Sequence, residues 1–143
     1  MSITYLGIRV TQLDRSLRFY CDGLGLRERK RGTMSHGGMW VSLEDPDSHF
    51  QLELNLYPPA TVYATPYVVG EGLDHVGLDV EDARATIERL RAMGAKVAVE
   101  PWLEEGRYWI GFVEDPDGIW VEIQSPLPAA EAATAVSAPS APS

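Results

Sequence analysis

One stretch of this chain occurs twice. Glu44-Asp45-Pro46-Asp47 recurs 70 residues later as Glu114-Asp115-Pro116-Asp117, and Tyr5–Val10 lines up at the same offset with His75–Val80. Once the second turn is shortened by one residue, Glu53 falls on Glu122. A period of about 70 is too long for a solenoid unit and predicts two copies of a small α/β module. In each copy the Asp-Pro-Asp turn separates runs rich in β-branched, aromatic and aliphatic residues, which predicts a hairpin. The second turn, Asp115-Pro116-Asp117-Gly118, suits type I geometry, with Asp first, Pro second and Gly last.

Around each hairpin the pattern reads βαβββ. In the first copy residues 3–10 alternate as a strand. A helix follows, with Thr11 and Asp14 spaced like a capping box and Leu13, Leu17, Tyr20 and Leu24 on one stripe, closed by Gly23 and Gly25. Strands are expected at Leu26–Arg31, Met39–Glu44 and Phe50–Leu56. In the second copy Asp82 is the expected N-cap, and Ala83, Ile87 and Leu90 form the buried stripe of a helix ending at Gly94. A short strand at Lys96–Val99, a loop at Pro101–Gly106 and the hairpin complete it. The expected organisation is a first module at 3–56, a Pro- and Gly-rich linker at 57–72, a second module at 73–125 and a low-complexity tail at 126–143. The fold class is α+β, with two tandem modules forming a curled, open, mixed-sheet, barrel-like cleft.

A chain of 143 residues is long enough to bury a single core. Its net charge of −9 argues against nucleic acid or an anionic membrane as partner. Arg27, Arg29, Lys30 and Arg31 form one short basic run, read as a solvated strand end. Cys21 is the only cysteine, so neither a disulfide framework nor a cysteine zinc site is available. With no signal-peptide pattern and no apolar run of membrane length, the default reading is a soluble cytoplasmic protein.

Four strands share one property. Positions 6/8/10, 50/52/54, 76/78/80 and 119/121/123 give each an aliphatic face for burying a helix. The opposite faces carry Tyr5, Gly7 and Arg9; Gln51, Glu53 and Asn55; His75, Gly77 and Asp79; and Trp120, Glu122 and Gln124. Such faces are ordinary solvent surface in many antiparallel sheets. If the sheet curls, they line a cleft in which Glu53, His75 and Glu122 converge, two carboxylates and an imidazole suited to a divalent first-row metal.

The duplicated pattern, with Gly72–Val80 and Phe112–Ile123, resembles the vicinal oxygen chelate superfamily, which includes glyoxalase, extradiol dioxygenases, and bleomycin and fosfomycin resistance proteins. The resemblance covers about residues 3–125. It implies a metal site drawn from the first and last strand of each module, at Tyr5, Glu53, His75 and Glu122. Tyr5 departs from the His or Gln usual at its position, which argues against dioxygenase chemistry. Glutamate at both strand-end positions matches the glyoxalase pattern. The implied function is a metal-dependent lyase or isomerase acting on a small oxygenated substrate. Glu122 and Glu53 are the expected catalytic carboxylates, and the cofactor is a divalent ion such as nickel, zinc, manganese or iron. Arg9 resembles an arginine that glyoxalases place near the carboxylate of glutathione, and Trp120 is a candidate substrate contact. The resemblance also implies a homodimer. Two rival functions are a metal-free, drug-sequestering binding protein and a dioxygenase. His36 and His49 are assigned to loops, Cys21 to packing, and Trp40 and Trp109 to core or cavity wall.

Overall fold

A computed structural model describes residues 5–35, 37–61, 63–68 and 71–136; His36 lies outside these. The chain divides into two compact units. One comprises Met1–Asp74 with Glu114–Ile119, the other His75–Val113 with Trp120–Ser143. Among the described residues no helix is long and apolar enough to cross a membrane.

The first copy of the module contains β1 (Leu6–Arg9), α1 (Leu13–Leu17) continued by a π-helical segment (Arg18–Gly23), β2 (Arg27–Thr33), β3 (Met39–Glu44) and β4 (Gln51–Leu56). Its four-stranded sheet has the order β1-β4-β3-β2, with β1 parallel to β4 and the other pairs antiparallel. The second copy contains β5 (Val76–Asp79), α2 (Ala83–Ala92), β6 (Lys96–Glu104), β7 (Tyr108–Glu114) and β8 (Trp120–Pro126), in the order β5-β8-β7-β6. Here too the first strand runs parallel to the last. The expected α+β fold with two open mixed sheets is present.

The aliphatic stripes supply the cores. Ile8, Val10, Leu52 and Leu54 are buried in the first unit, and Val121, Ile123, Ala83, Ile87 and Leu90 in the second. Asp82 caps α2 as expected, its Oδ1 accepting from the Ala85 N–H at 3.1 Å. At Gly111, on β7, the sheet lies close against Ile87 of α2. A Cβ there would stand 2.5 Å from Ile87 Cδ1 and 3.2 Å from Pro101 Cα, so only glycine fits without displacing them. The second turn closes as expected, with Gly118 at φ +86° donating to the Asp115 carbonyl at 3.0 Å.

Five local expectations are corrected. Gln12, not Thr11, is the N-cap of α1, and no side chain caps that helix. The Thr11 backbone N–H instead donates to Asp117 Oδ1 at 3.1 Å, and its hydroxyl bonds the same oxygen. The helix buries Ser16, Phe19 and Tyr20 while Leu13 and Leu17 are only half-buried, the buried face being the one whose Tyr20 hydroxyl reaches Asp115. Phe50 precedes β4 and is exposed. Strand β6 runs through Pro101 rather than ending before it; as an edge strand it tolerates a residue that cannot donate on its open side. Finally, the stretch read as a low-complexity tail includes a helix, α3 (Ala129–Val136), tied back to the second unit by the Arg84–Glu131 ion pair.

Candidate active site

The second unit brings two of the expected ligands together. In the parallel pairing of β5 and β8, Gly77 stands opposite Glu122 and Asp79 opposite Gln124. Side chains of paired positions share a face, so His75, one residue before β5, and Glu122 project on the same side. His75 Nε2 lies 3.6 Å from Glu122 Oε2. That is longer than a hydrogen bond. Two ligands each about 2.0–2.2 Å from one ion can stand this far apart. The side chains are 34% and 20% exposed, so a ligand can reach both. Imidazole with carboxylate is a donor set that fits a divalent first-row metal. Among the described residues no group of three or more His, Cys, Asp or Glu is gathered to hold an ion.

An aromatic wall adjoins this pair. Phe112 sits edge-on to the His75 ring at 5.5 Å, 5.5 Å from Trp120, and nearly parallel to Trp102 at 6.0 Å. Trp120 thus lies on the face of the pair, as expected, whereas Phe112 and Trp102 had been assigned no role. Alternation along β7 signals Phe112, since its neighbours Gly111 and Val113 are buried on the other face. Nothing in the sequence signals Trp102, which sat in an expected loop. On the same face as His75 and Glu122, Gln124 Nε2 donates to Asp79 Oδ1 at 2.7 Å.

The first unit repeats the register. Gly7 stands opposite Glu53 and Arg9 opposite Asn55, the relation that Gly77 and Asp79 bear to Glu122 and Gln124. Tyr5, just before β1, is 51% exposed. Arg9 is exposed at the end of β1. His49 occupies the first turn at φ 61°, with Nδ1 3.2 Å from Glu44 Oε1. Burial, reinforced by Asp22 and Glu28, pushes the Cys21 thiol up from its ordinary value, consistent with an unreactive packing residue.

The sequence profile of the Glyoxalase/Bleomycin resistance protein/Dioxygenase superfamily matches residues 2–123. A probable lactoylglutathione lyase from Synechocystis sp. is 34% identical over 130 residues, covering 86% of this chain and 94% of that one. A probable chloroplastic lactoylglutathione lyase from Arabidopsis thaliana is 34% identical over 119 residues, 80% of this chain; the match spans only 33% of that longer protein. The crystal structure of glyoxalase I from Leishmania major, described as trypanothione-dependent, superposes with a TM-score of 0.72 at 27% identity. That match covers 95% of this chain and 94% of the other. The expected fold and the expected class, an enzyme, are both borne out by relatives that align over most of the chain. The chain belongs to the glyoxalase/bleomycin resistance protein/dioxygenase superfamily and stands with its glyoxalase-like enzymes.

Proposed function

We propose that the protein is a metal-dependent, glyoxalase-like lyase or isomerase that moves a proton between the two carbons of a small α-hydroxycarbonyl or hemithioacetal substrate. The observation carrying this reading is the His75–Glu122 pair at 3.6 Å on strands in parallel register. The lyase names of the relatives support it. His75 and Glu122 are the proposed ligands, Glu53 the equivalent carboxylate of the first module, and Tyr5 an accessory hydrogen-bond donor. When bound, a divalent ion supplies Lewis-acid stabilisation of negative charge developing on the substrate's carbonyl oxygen. Glu122 accepts the proton from the carbon next to that carbonyl. It then returns the same proton to the neighbouring carbon, so no external acid or base is consumed. Phe112 and Trp120 give that face an apolar wall beside the imidazole.

Elemental analysis of wild type beside His75→Ala tests the site. About one metal per chain in the wild type, absent from the variant, is expected. Turnover that is unchanged in both Glu53→Gln and Glu122→Gln would sink the mechanism. A homodimer is part of the proposal, checked by light scattering of the eluted protein.

A metal-free binder of flat ligands is the second reading, favoured by Tyr5 in place of a stronger ligand and by the Trp102–Phe112–Trp120 wall. Ligand binding that survives a chelator and yields no product selects it.

A further inference from the structure

The imidazole of His75 must be turned the right way before it can act with Glu122. His75 stands one residue outside the β5 ladder. The last torsion of an imidazole is broad and roughly two-fold, so neighbours rather than a rotamer well set the direction of the ring. Phe112, in the same unit, is such a neighbour. The two rings are 5.5 Å apart and 79° from parallel, the edge-to-face arrangement that aromatic pairs prefer.

Phe112 is itself braced. Trp120 lies 5.5 Å from it, tilted by 46°, and Trp102 stacks on it at 6.0 Å and 19°. The Trp102 indole N–H donates to Glu104 Oε2, which ties that ring to its own strand. The residues beside these two explain why their rings meet. Gly111 lies so close to Pro101 that a Cβ on it would stand 3.2 Å from Pro101 Cα. Phe112 and Trp102 come next along their strands and project to the opposite face, where the same close approach brings ring against ring.

The first copy of the module lacks this support. At the offset of 70 residues Tyr5 stands for His75, Ser42 for Phe112 and Gly32 for Trp102; after the shortened turn Gln51 stands for Trp120. Ser42 is a small buried hydroxyl, Gly32 is covered by the Trp40 ring, and Tyr5 is exposed. Duplication gives Glu53 and Glu122 equivalent places, yet aromatic bracing surrounds only Glu122 and its imidazole.

We infer that Phe112 is a positioning residue, holding the His75 imidazole in the orientation that turns Nε2 toward Glu122, with Trp102 acting through Phe112. The inference rests on the reading of His75 and Glu122 as metal ligands. A ring fixed in advance has less freedom to lose when an ion is bound, so removing the brace weakens binding while leaving every ligand in place.

Two measurements test it. In the metal-free protein, proton NMR reads the His75 imidazole, identified among the chain's three histidines by its loss in His75→Ala. Wild type and Phe112→Tyr, which both carry the ring, are expected to show Overhauser contacts from the imidazole to the Glu122 side chain. Phe112→Leu, apolar but without the ring, is expected to lose most of their intensity. Calorimetry with divalent cobalt reads the consequence. Phe112→Leu is expected to bind about three- to tenfold more weakly than wild type, the worth of an aromatic pair, and Phe112→Tyr to bind as wild type does. Trp102→Leu is expected to weaken cobalt in the wild type and to add nothing in Phe112→Leu, since it acts through the missing ring.

Unchanged Overhauser contacts or unchanged cobalt affinity in Phe112→Leu overturns the inference. A loss that Phe112→Tyr fails to restore also overturns it, because packing alone then accounts for the effect. Cobalt bound equally by His75→Ala, or by no form of the protein, sinks the metal reading instead. The Overhauser contacts of the metal-free protein then decide by themselves whether Phe112 holds the imidazole.

Discussion

The Tyr20 hydroxyl donates to Asp115 Oδ2 at 2.8 Å, joining residues 95 positions apart that are both almost fully buried. Asp115 also accepts from the Asp117 and Ile119 N–H groups at 2.8 and 2.9 Å, so a single carboxylate shapes the second turn and receives the tyrosine. Tyr20→Phe removes one of three donors from a buried acceptor. It is expected to lower stability by about 1–3 kcal/mol, read from urea unfolding at neutral pH.

The same pair predicts two pH trends of the same sign in different pH windows. Burial first, then the charge of Asp115 and the hydrogen bond to it, pushes the Tyr20 phenol well above its ordinary value. Above about pH 10 the unfolded phenol ionises while the folded one keeps its proton. The stability Tyr20 contributes is therefore full below that pH and lost as pH rises beyond it. The stability gap between wild type and Tyr20→Phe should narrow in alkali. For Asp115, burial outweighs its hydrogen bonds and raises the carboxyl. A raised folded value makes its contribution largest below about pH 4 and smaller as pH climbs through the folded value. The gap between wild type and Asp115→Asn should accordingly widen on acidification, and a constant gap would count against the raised carboxyl.

Gly111→Ala places a methyl 2.5 Å from Ile87 Cδ1 and against the Pro101 backbone. Overpacking of this kind costs about 1–3 kcal/mol, seen as a lower urea midpoint with an unchanged slope. Ile87→Ala loses contacts on its own, yet combined with Gly111→Ala it should cost less than the two changes added. Strict additivity would mean that Ile87 is not what confines Gly111.

Arg84 holds α3 in place. It pairs with Glu131, its guanidinium lies 4.3 Å over the Trp109 ring, and Trp109 Nε1 donates to Glu131 Oε2 at 3.4 Å. The ion pair is partly exposed and the stacking modest, so together they are worth about 1–2 kcal/mol. Arg84→Ala should speed amide exchange in residues 129–132 about tenfold while α2 stays protected. Unchanged exchange there would assign the docking of α3 to other contacts.

Much of this architecture was legible before any coordinates. The strands at 39–44 and 76–79, the Asp82 cap, the buried stripe of α2 and the Asp115–Gly118 turn are set within a few residues by alternation, capping and turn chemistry, which act locally along the chain. The candidate ligands were legible as well, because duplication puts Glu53 and Glu122 at equivalent positions.

Other features needed the tertiary structure, because they depend on partners distant in sequence. A capping-box spacing at Thr11 gave way to Asp117, 106 residues on, which offers that N–H and hydroxyl a better acceptor. Along Leu13–Gly23 the core takes Ser16 and Phe19 rather than Leu13 and Leu17, a choice between neighbouring helical stripes that spacing alone leaves open and the Tyr20–Asp115 contact decides. His75 meets Glu122 only because β5 and β8 pair in parallel in one register; a slip of one residue would turn the carboxylate to the other face. Whether a polar strand pair closes on itself, as Asp79 and Gln124 do, or opens onto a cavity, as Arg9 and Asn55 do, was likewise decided by what packs around it.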